Sequence, residues 1–167
     1  NVSFALERGT LTAIVGRIGS GKTTLLRALL GLLPLDGGEV HWNGQRIDDL
    51  GAFCVPPRVS YVPQVPVLLS DTLRENILLG LPDEPERLAR AVHCAALERD
   101  IADFPHGLDT LIGVRGMRLS GGQAQRAAAA RMFVREPELV VVDDLSSALD
   151  VETEKILWQR MLEKDTR

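Results

Sequence analysis

The chain has 167 residues, 45% of them hydrophobic and 25% charged, the make-up of an ordinary globular protein with one sizeable core. Nineteen basic residues against 23 acidic ones leave a net charge of −4, which counts against a general nucleic-acid binder, a class that is usually basic. The most apolar run, residues 25–35, is interrupted by Arg27 and too short to span a bilayer, and no secretory signal precedes it.

Cys54 and Cys94 form no CxxC pair and have no histidine at metal-ligand spacing, so they read as two reduced thiols. No starter methionine opens the chain and no closing element follows KDTR. Both ends therefore read as cuts through a longer polypeptide, whose membrane spans, if it has any, lie elsewhere.

In chain order, residues 11–15 (LTAIV) form a short apolar run bounded by glycine, the pattern of a buried strand. A glycine loop follows at 16–21, then leucine spacing over 22–30 predicts a helix ending at Gly31. Asn43-Gly44 between two short strand-like runs predicts a two-residue hairpin. Residues 58–62 form another strand, closed by Pro63-Gln64. From Asp71 to about Arg99 apolar residues recur three and four apart, with Pro82 and Pro85 marking a helix start. An alanine-rich helix runs over 120–135 and stops at Glu136-Pro137. Residues 139–142 suit the central strand of a parallel sheet, and 152–162 form the last helix. The order is that of an α/β core with a helical lobe inserted at about residues 70–135.

GRIGSGKT, residues 16–23, sits after a predicted strand and before a predicted helix, the context in which GxxxxGKT is a phosphate loop. Gly16, Gly19 and Gly21 let the backbone curl so that its amides point at phosphate oxygens, with Ser20 and Thr24 flanking the same turn. Lys22 can reach the β- and γ-phosphates and Thr23 offers a hydroxyl to magnesium. ATP and Mg2+ are the expected ligands. Asp143 ends the apolar run VVVDD at the carboxyl edge of the sheet, where a metal-supporting carboxylate belongs. Asp144 stands where a carboxylate could orient or activate attacking water.

A second anion-binding surface is written in LSGGQ, residues 119–123, followed by AQR: Ser120 can cap a helix, and Gly121 and Gly122 let amides approach a phosphate closely. LSGGQ placed 20 residues ahead of Asp143 is similar to the signature of ABC transporter nucleotide-binding domains. YVPQ, ending in Gln64, resembles that family's Q-loop, and SALD, ending in Asp150, resembles its D-loop. The segments 66–80 and 104–116 look like those of exporter-type domains, and the resemblance spans essentially the whole chain.

The resemblance implies a P-loop NTPase with a RecA-like parallel-sheet core, a small antiparallel β region and a helical subdomain, together one incomplete nucleotide-binding domain over 1–167. It implies a second such domain bound head to tail, with Ser120, Gly121, Gly122 and Gln123 on the partner's nucleotide. Gln64 would sense magnesium and water and couple to transmembrane domains fused in the parent chain. Asp150 would signal across the dimer, and the domain would sit at the cytoplasmic face of a membrane, with no direct nucleic-acid contact. Lys22, Gln64 and Asp144 are the expected catalytic residues; Thr23, Gln64 and Asp143 are the expected metal set.

Four departures stand out. Asp144 replaces the family's usual glutamate. The histidine expected about thirty residues past the D-loop would lie beyond Arg167, and His41, His93 and His106 read instead as surface or partly packed residues. The adenine-stacking aromatic would precede residue 1; Phe4 reads as core packing, and Trp42 and Tyr61 as sheet packing. Val114 stands where exporters commonly have glutamate. Two alternatives to a transport ATPase stay open: a weakly hydrolysing domain that gates a channel or partner, and a soluble non-transport ABC ATPase.

Overall fold

The computed structural model describes residues 2–113, 116–145 and 148–164. One compact unit runs to Phe53 and a second, larger one begins at Cys54.

In the first unit, helix α1 (Lys22–Leu29) follows the glycine loop and ends where the sequence places its stop, with Leu30 as C-cap and Gly31 at φ 69°. Strands β1 (His41–Trp42) and β2 (Gln45–Arg46) pair antiparallel. Asn43 and Gly44 between them have φ 51° and 80°, both positive as a type I′ hairpin turn requires. Helix α2 (Leu50–Phe53) closes the unit, and the Phe53 ring meets Trp42 edge-on at 5.4 Å. Trp42 is therefore a packing residue, as its place beside the hairpin suggests.

The strand expected at 11–15 is not formed. Leu11, Ile14 and Val15 are 62%, 37% and 87% exposed, and the hairpin is the ladder this unit contains. An apolar run shows fitness for burial, but a strand exists only where a neighbouring backbone takes its hydrogen bonds. Phe4, expected in the core, is likewise exposed at 46%.

The second unit is built around helix α6 (Gly121–Phe133). Strands β3 (Val59–Val62) and β4 (Leu139–Val142) pair in parallel, Val59 opposite Leu139 and Val62 opposite Val142. The sequence suggests a central strand for β4; it pairs with β3 alone among the described residues and is half-buried. The long helical pattern over 71–99 is divided into α3 (Leu73–Leu78), α4 (Pro85–Cys94) and the start of α5 (Glu98–Asp103). Left-handed residues make the breaks: Leu79 and Gly80 (φ 44° and 81°) after α3, Ala96 (φ 53°) after α4. Pro85 opens α4 from its first turn, where a missing amide hydrogen costs nothing. A 3-10 turn (Gly107–Asp109) and helix α7 (Val151–Lys164) complete the unit.

The core joins Leu73 and Ile77 of α3, Leu88 and Ala91 of α4, Leu157 of α7 and the middle of α6. Consecutive residues Ala127, Ala128, Ala129 and Ala130 point to different sides of α6 and are all buried, and their small side chains let helices and strand approach closely. Fully burying each large aliphatic contributes roughly 1.5–3 kcal/mol. Buried Asn76 ties the preceding loop to this frame. Its Oδ1 accepts from the Leu69 amide at 2.7 Å, its Nδ2 donates to the Leu69 and Thr72 carbonyls, and Arg131 of α6 donates to its carbonyl at 2.7 Å. No helix among the described residues is long and apolar enough to cross a membrane.

Candidate functional site

The glycine loop of the first unit has the shape an anion needs. Gly19 and Gly21 sit at φ 80° and 90°, a region closed to most side chains, and a Cβ at either would meet nothing within 4 Å. Gly21 caps α1 with no side-chain hydrogen bond, so no side chain occupies the positive end of the helix dipole. Lys22 folds over the loop, its Nζ donating to the carbonyls of Gly16 at 2.9 Å and Arg17 at 3.1 Å. Thr23 is half-buried, while Ser20 and Thr24 are exposed. Glycines at positive φ, an ammonium and a hydroxyl around an open turn fit a polyphosphate.

In the second unit the structure brings together Tyr61, Gln64, Gln125, Asp143 and Asp144. The Asp143 amide donates to the Val62 carbonyl at 2.9 Å, so the carboxylate is set down at the end of the β3–β4 ladder. It is buried at 7% exposure, with the Tyr61 hydroxyl 3.5 Å from Oδ2. Asp144 has φ 56°, a left-handed conformation that aspartate tolerates better than most residues. That turn separates the two consecutive carboxylates, one buried and one exposed. The Gln64 side chain donates through Nε2 to Asp144 Oδ2 at 3.1 Å.

The signature forms the start of α6 by a capping box. Ser120 Oγ accepts from the Gln123 amide at 3.2 Å, and Gln123 Oε1 accepts from the Ser120 amide at 2.9 Å. Gln123 Nε2 donates to Asp100 Oδ1 at 3.1 Å, and Arg126 grips the same carboxylate through Nε and Nη2 at 2.7–3.1 Å. The Gln123 side chain is thus committed within its own chain, while the exposed Ser120 hydroxyl keeps its proton to donate. Gly122 is a close approach: a Cβ there would lie 2.8 Å from the Ala148 carbonyl oxygen.

Asp150 accepts from the Thr153 amide at 2.9 Å and the Thr153 hydroxyl at 2.7 Å, closing the first turn of α7. These two bonds hold its carboxyl below the usual carboxylate range. His41, His93 and His106 are exposed, and His41 and His93 face Glu39 and Glu98. Neither cysteine forms a disulfide among the described residues. Val114 and Arg115 lie outside the described residues.

Two members of the second unit's site were not singled out from the sequence. Gln125 is 2% exposed and donates through Nε2 to the Gln64 carbonyl at 2.9 Å. Its Oε1 has no partner among the described residues, an arrangement that costs about 1–3 kcal/mol. A glutamine one turn ahead of Ala128 and Ala129 is a visible signal, because a polar residue on an apolar face needs a reason. Asp100 carries no such signal, since its partners lie more than twenty residues away.

A family model described as "ABC transporter" matches residues 1–147. The chain is 39% identical over 156 residues to "ABC transporter aclQ" of Aspergillus oryzae, covering 93% of this chain and 19% of that protein. It is 36% identical over 164 residues to a probable multidrug resistance ABC transporter ATP-binding/permease protein, YheI, of Bacillus subtilis, covering 98% and 28%. The fold superposes on a structure of a bacterial Atm1-family ABC exporter with ATP bound, with a TM-score of 0.88 and 34% identity over 97% of this chain and 28% of that one. The chain therefore spans less than a third of the length of these relatives. It belongs to the ABC transporter family.

Proposed function

We propose that this chain is the ATP-binding and hydrolysing domain of a membrane exporter, a single nucleotide-binding domain over 1–167 with a helical subdomain at about 70–135. The observation that carries the hydrolytic part is the cluster at the end of β4. A buried carboxylate, Asp143, stands next to an exposed one, Asp144, which already holds the side chain of Gln64. Gly16, Gly19, Ser20, Gly21, Lys22, Thr23 and Thr24 cradle the phosphates. The Thr23 hydroxyl and the Asp143 and Gln64 oxygens are hard donors that suit magnesium. The chemistry magnesium supplies when bound is charge neutralisation on the β- and γ-phosphate oxygens. Gln64 and Asp144 position the attacking water, and Asp144 takes its proton.

A second copy or a related domain binds head to tail, so that Ser120, Gly121 and Gly122 face the partner's nucleotide. The Ser120 hydroxyl donates to phosphate, and Gln123 shapes the turn rather than reaching out. Asp150 lies at the same junction. Transmembrane domains in the parent protein place this domain at the cytoplasmic face of a membrane. The names of the relatives, exporters and ATP-binding/permease proteins, support that assembly.

Asp144 favours one second reading, a weakly hydrolysing domain that holds ATP to gate its partner, because its carboxylate is one methylene shorter than the usual glutamate. Steady-state ATP turnover of the full-length protein in a membrane mimetic separates the two, with Lys22→Ala as the dead control. Turnover that falls at least about 100-fold in Lys22→Ala and changes less than about three-fold in Asp144→Glu supports the ATPase. A nearly silent protein revived by Asp144→Glu supports the gating domain.

A further inference from the structure

We propose that Gln125 is a positioning residue: from inside α6 it fixes the peptide of Gln64, and so links the signature to the water-facing carboxylate of the same chain. The proposal rests on the ATPase reading above.

Gln125 is 2% exposed, and the bond it makes is to a loop carbonyl, that of Gln64, at 2.9 Å. Its Oε1 is buried without a partner among the described residues. A residue that served only to fill this space would be apolar, since an apolar side chain leaves no orphaned acceptor. What the amide supplies instead is the placement of the Gln64 peptide. From there the side chain of Gln64 reaches Asp144 Oδ2 at 3.1 Å. Three bonded groups thus run from the signature helix to the carboxylate assigned to water.

The other end of the link is firm. Ser120 caps α6 and Gln125 lies five residues on, about 7.5 Å along the axis. Between and beside them, Gln123 and Arg126 are both held by Asp100. Ser120 and Gln125 therefore belong to one rigid segment. In the head-to-tail arrangement Ser120 serves the partner's ATP, whereas Gln64 serves the chain's own. Seating of the partner's phosphate at the start of α6 is then transmitted through Gln125 to the Gln64 carbonyl, and the two ATP sites are coupled within one chain.

The test uses the full-length protein in a membrane mimetic with three variants: Gln125→Met, which keeps length and removes the donor, Gln64→Ala, and both together. Gln125→Met lowers kcat about ten-fold or more, with KM for ATP within about two-fold of the parent, because the phosphate loop is untouched. The double variant turns over within about two-fold of Gln64→Ala alone, because both changes act on one group. Hydrogen exchange provides a readout independent of turnover. Amides at 61–67 exchange faster in Gln125→Met, while those of α4 keep the parent's protection. Unchanged kcat, losses that multiply in the double variant, or exchange that quickens equally in α4 would each overturn the proposal. If the parent shows no Lys22-dependent turnover, the ATPase reading fails by itself and the exchange comparison decides the placement. Faster exchange confined to 61–67 then upholds it, and unchanged exchange there refutes it.

Discussion

Replacing Asp100 by asparagine removes one charge from the best-formed ion pair in the structure while leaving its volume unchanged. The carboxylate receives both Arg126 Nη2 contacts at 2.7–2.8 Å, a third bond from Nε at 3.1 Å and a fourth from Gln123. The two side chains are only 12% and 14% exposed, so in Asp100→Asn the guanidinium is left with little water to replace its partner. Breaking a buried pair from one side costs about 3–5 kcal/mol, and the remaining exposure places this one at the lower end, about 3 kcal/mol. For a domain of this size that is a fall of about 6–12 °C in Tm. Urea denaturation of the chain should give the same loss with an unchanged m-value. The internal comparison is Arg90–Glu136, at 3.4 Å with side chains 59% and 49% exposed, where Glu136→Gln should cost less than about 1 kcal/mol. Equal costs for the two substitutions, or a loss below about 1 kcal/mol for Asp100→Asn, would refute the argument from burial.

Gly122→Ala places a methyl against the Ala148 backbone oxygen, which should cost about 1–3 kcal/mol in thermal melts and, under the head-to-tail arrangement proposed above, lower ATP turnover. Burial alone would raise the Glu98 carboxyl, but its own backbone amide, Arg160 and His93 together hold it below the usual carboxylate range. Its contribution to stability is then present above the unfolded-state value of about 4.3 and is lost as pH falls through the lower folded-state value. Glu98→Gln should be less stable than the parent at pH 7 in denaturant titrations, and the gap should close as the pH is lowered below about 4. A gap that is constant with pH would mean the ionised carboxylate is not what stabilises.

Signals that act over a few residues were legible in the sequence. Ser120 marked the cap of α6, Asn43-Gly44 the hairpin, Gly31 the end of α1 and Pro137 the stop after α6. Strand 139–142 was found with its boundaries because its apolar run stops abruptly at two aspartates. What failed was pairing. Residues 11–15 have the composition of a buried strand, but composition does not name the backbone that would lie beside it. The phosphate loop and signature were readable as motifs, whereas the side chains that hold them were not. Asp100 meets Gln123 and Arg126 only because α5 folds against α6, and the Gln64–Asp144 bond joins residues 80 apart. The left-handed turn at Asp144 was equally hidden, since the sequence assigns the two aspartates different roles without naming the backbone conformation that parts them.

The row of buried alanines in α6 has a mechanical consequence. A methyl group has no side-chain torsion, so Ala127, Ala128, Ala129 and Ala130 cannot take up a small displacement by changing rotamer, as leucines in their place could. Over residues 127–130 a push on the start of the helix finds no side-chain torsion of the helix's own to absorb it, and it bears directly on α3, α4 and β3, which pack against α6. Compliance is left to the segments at the ends of these elements, and the one that carries Gln64 is held at the helix by the Gln125 amide on the Gln64 carbonyl and by Arg131 on the Val67 carbonyl.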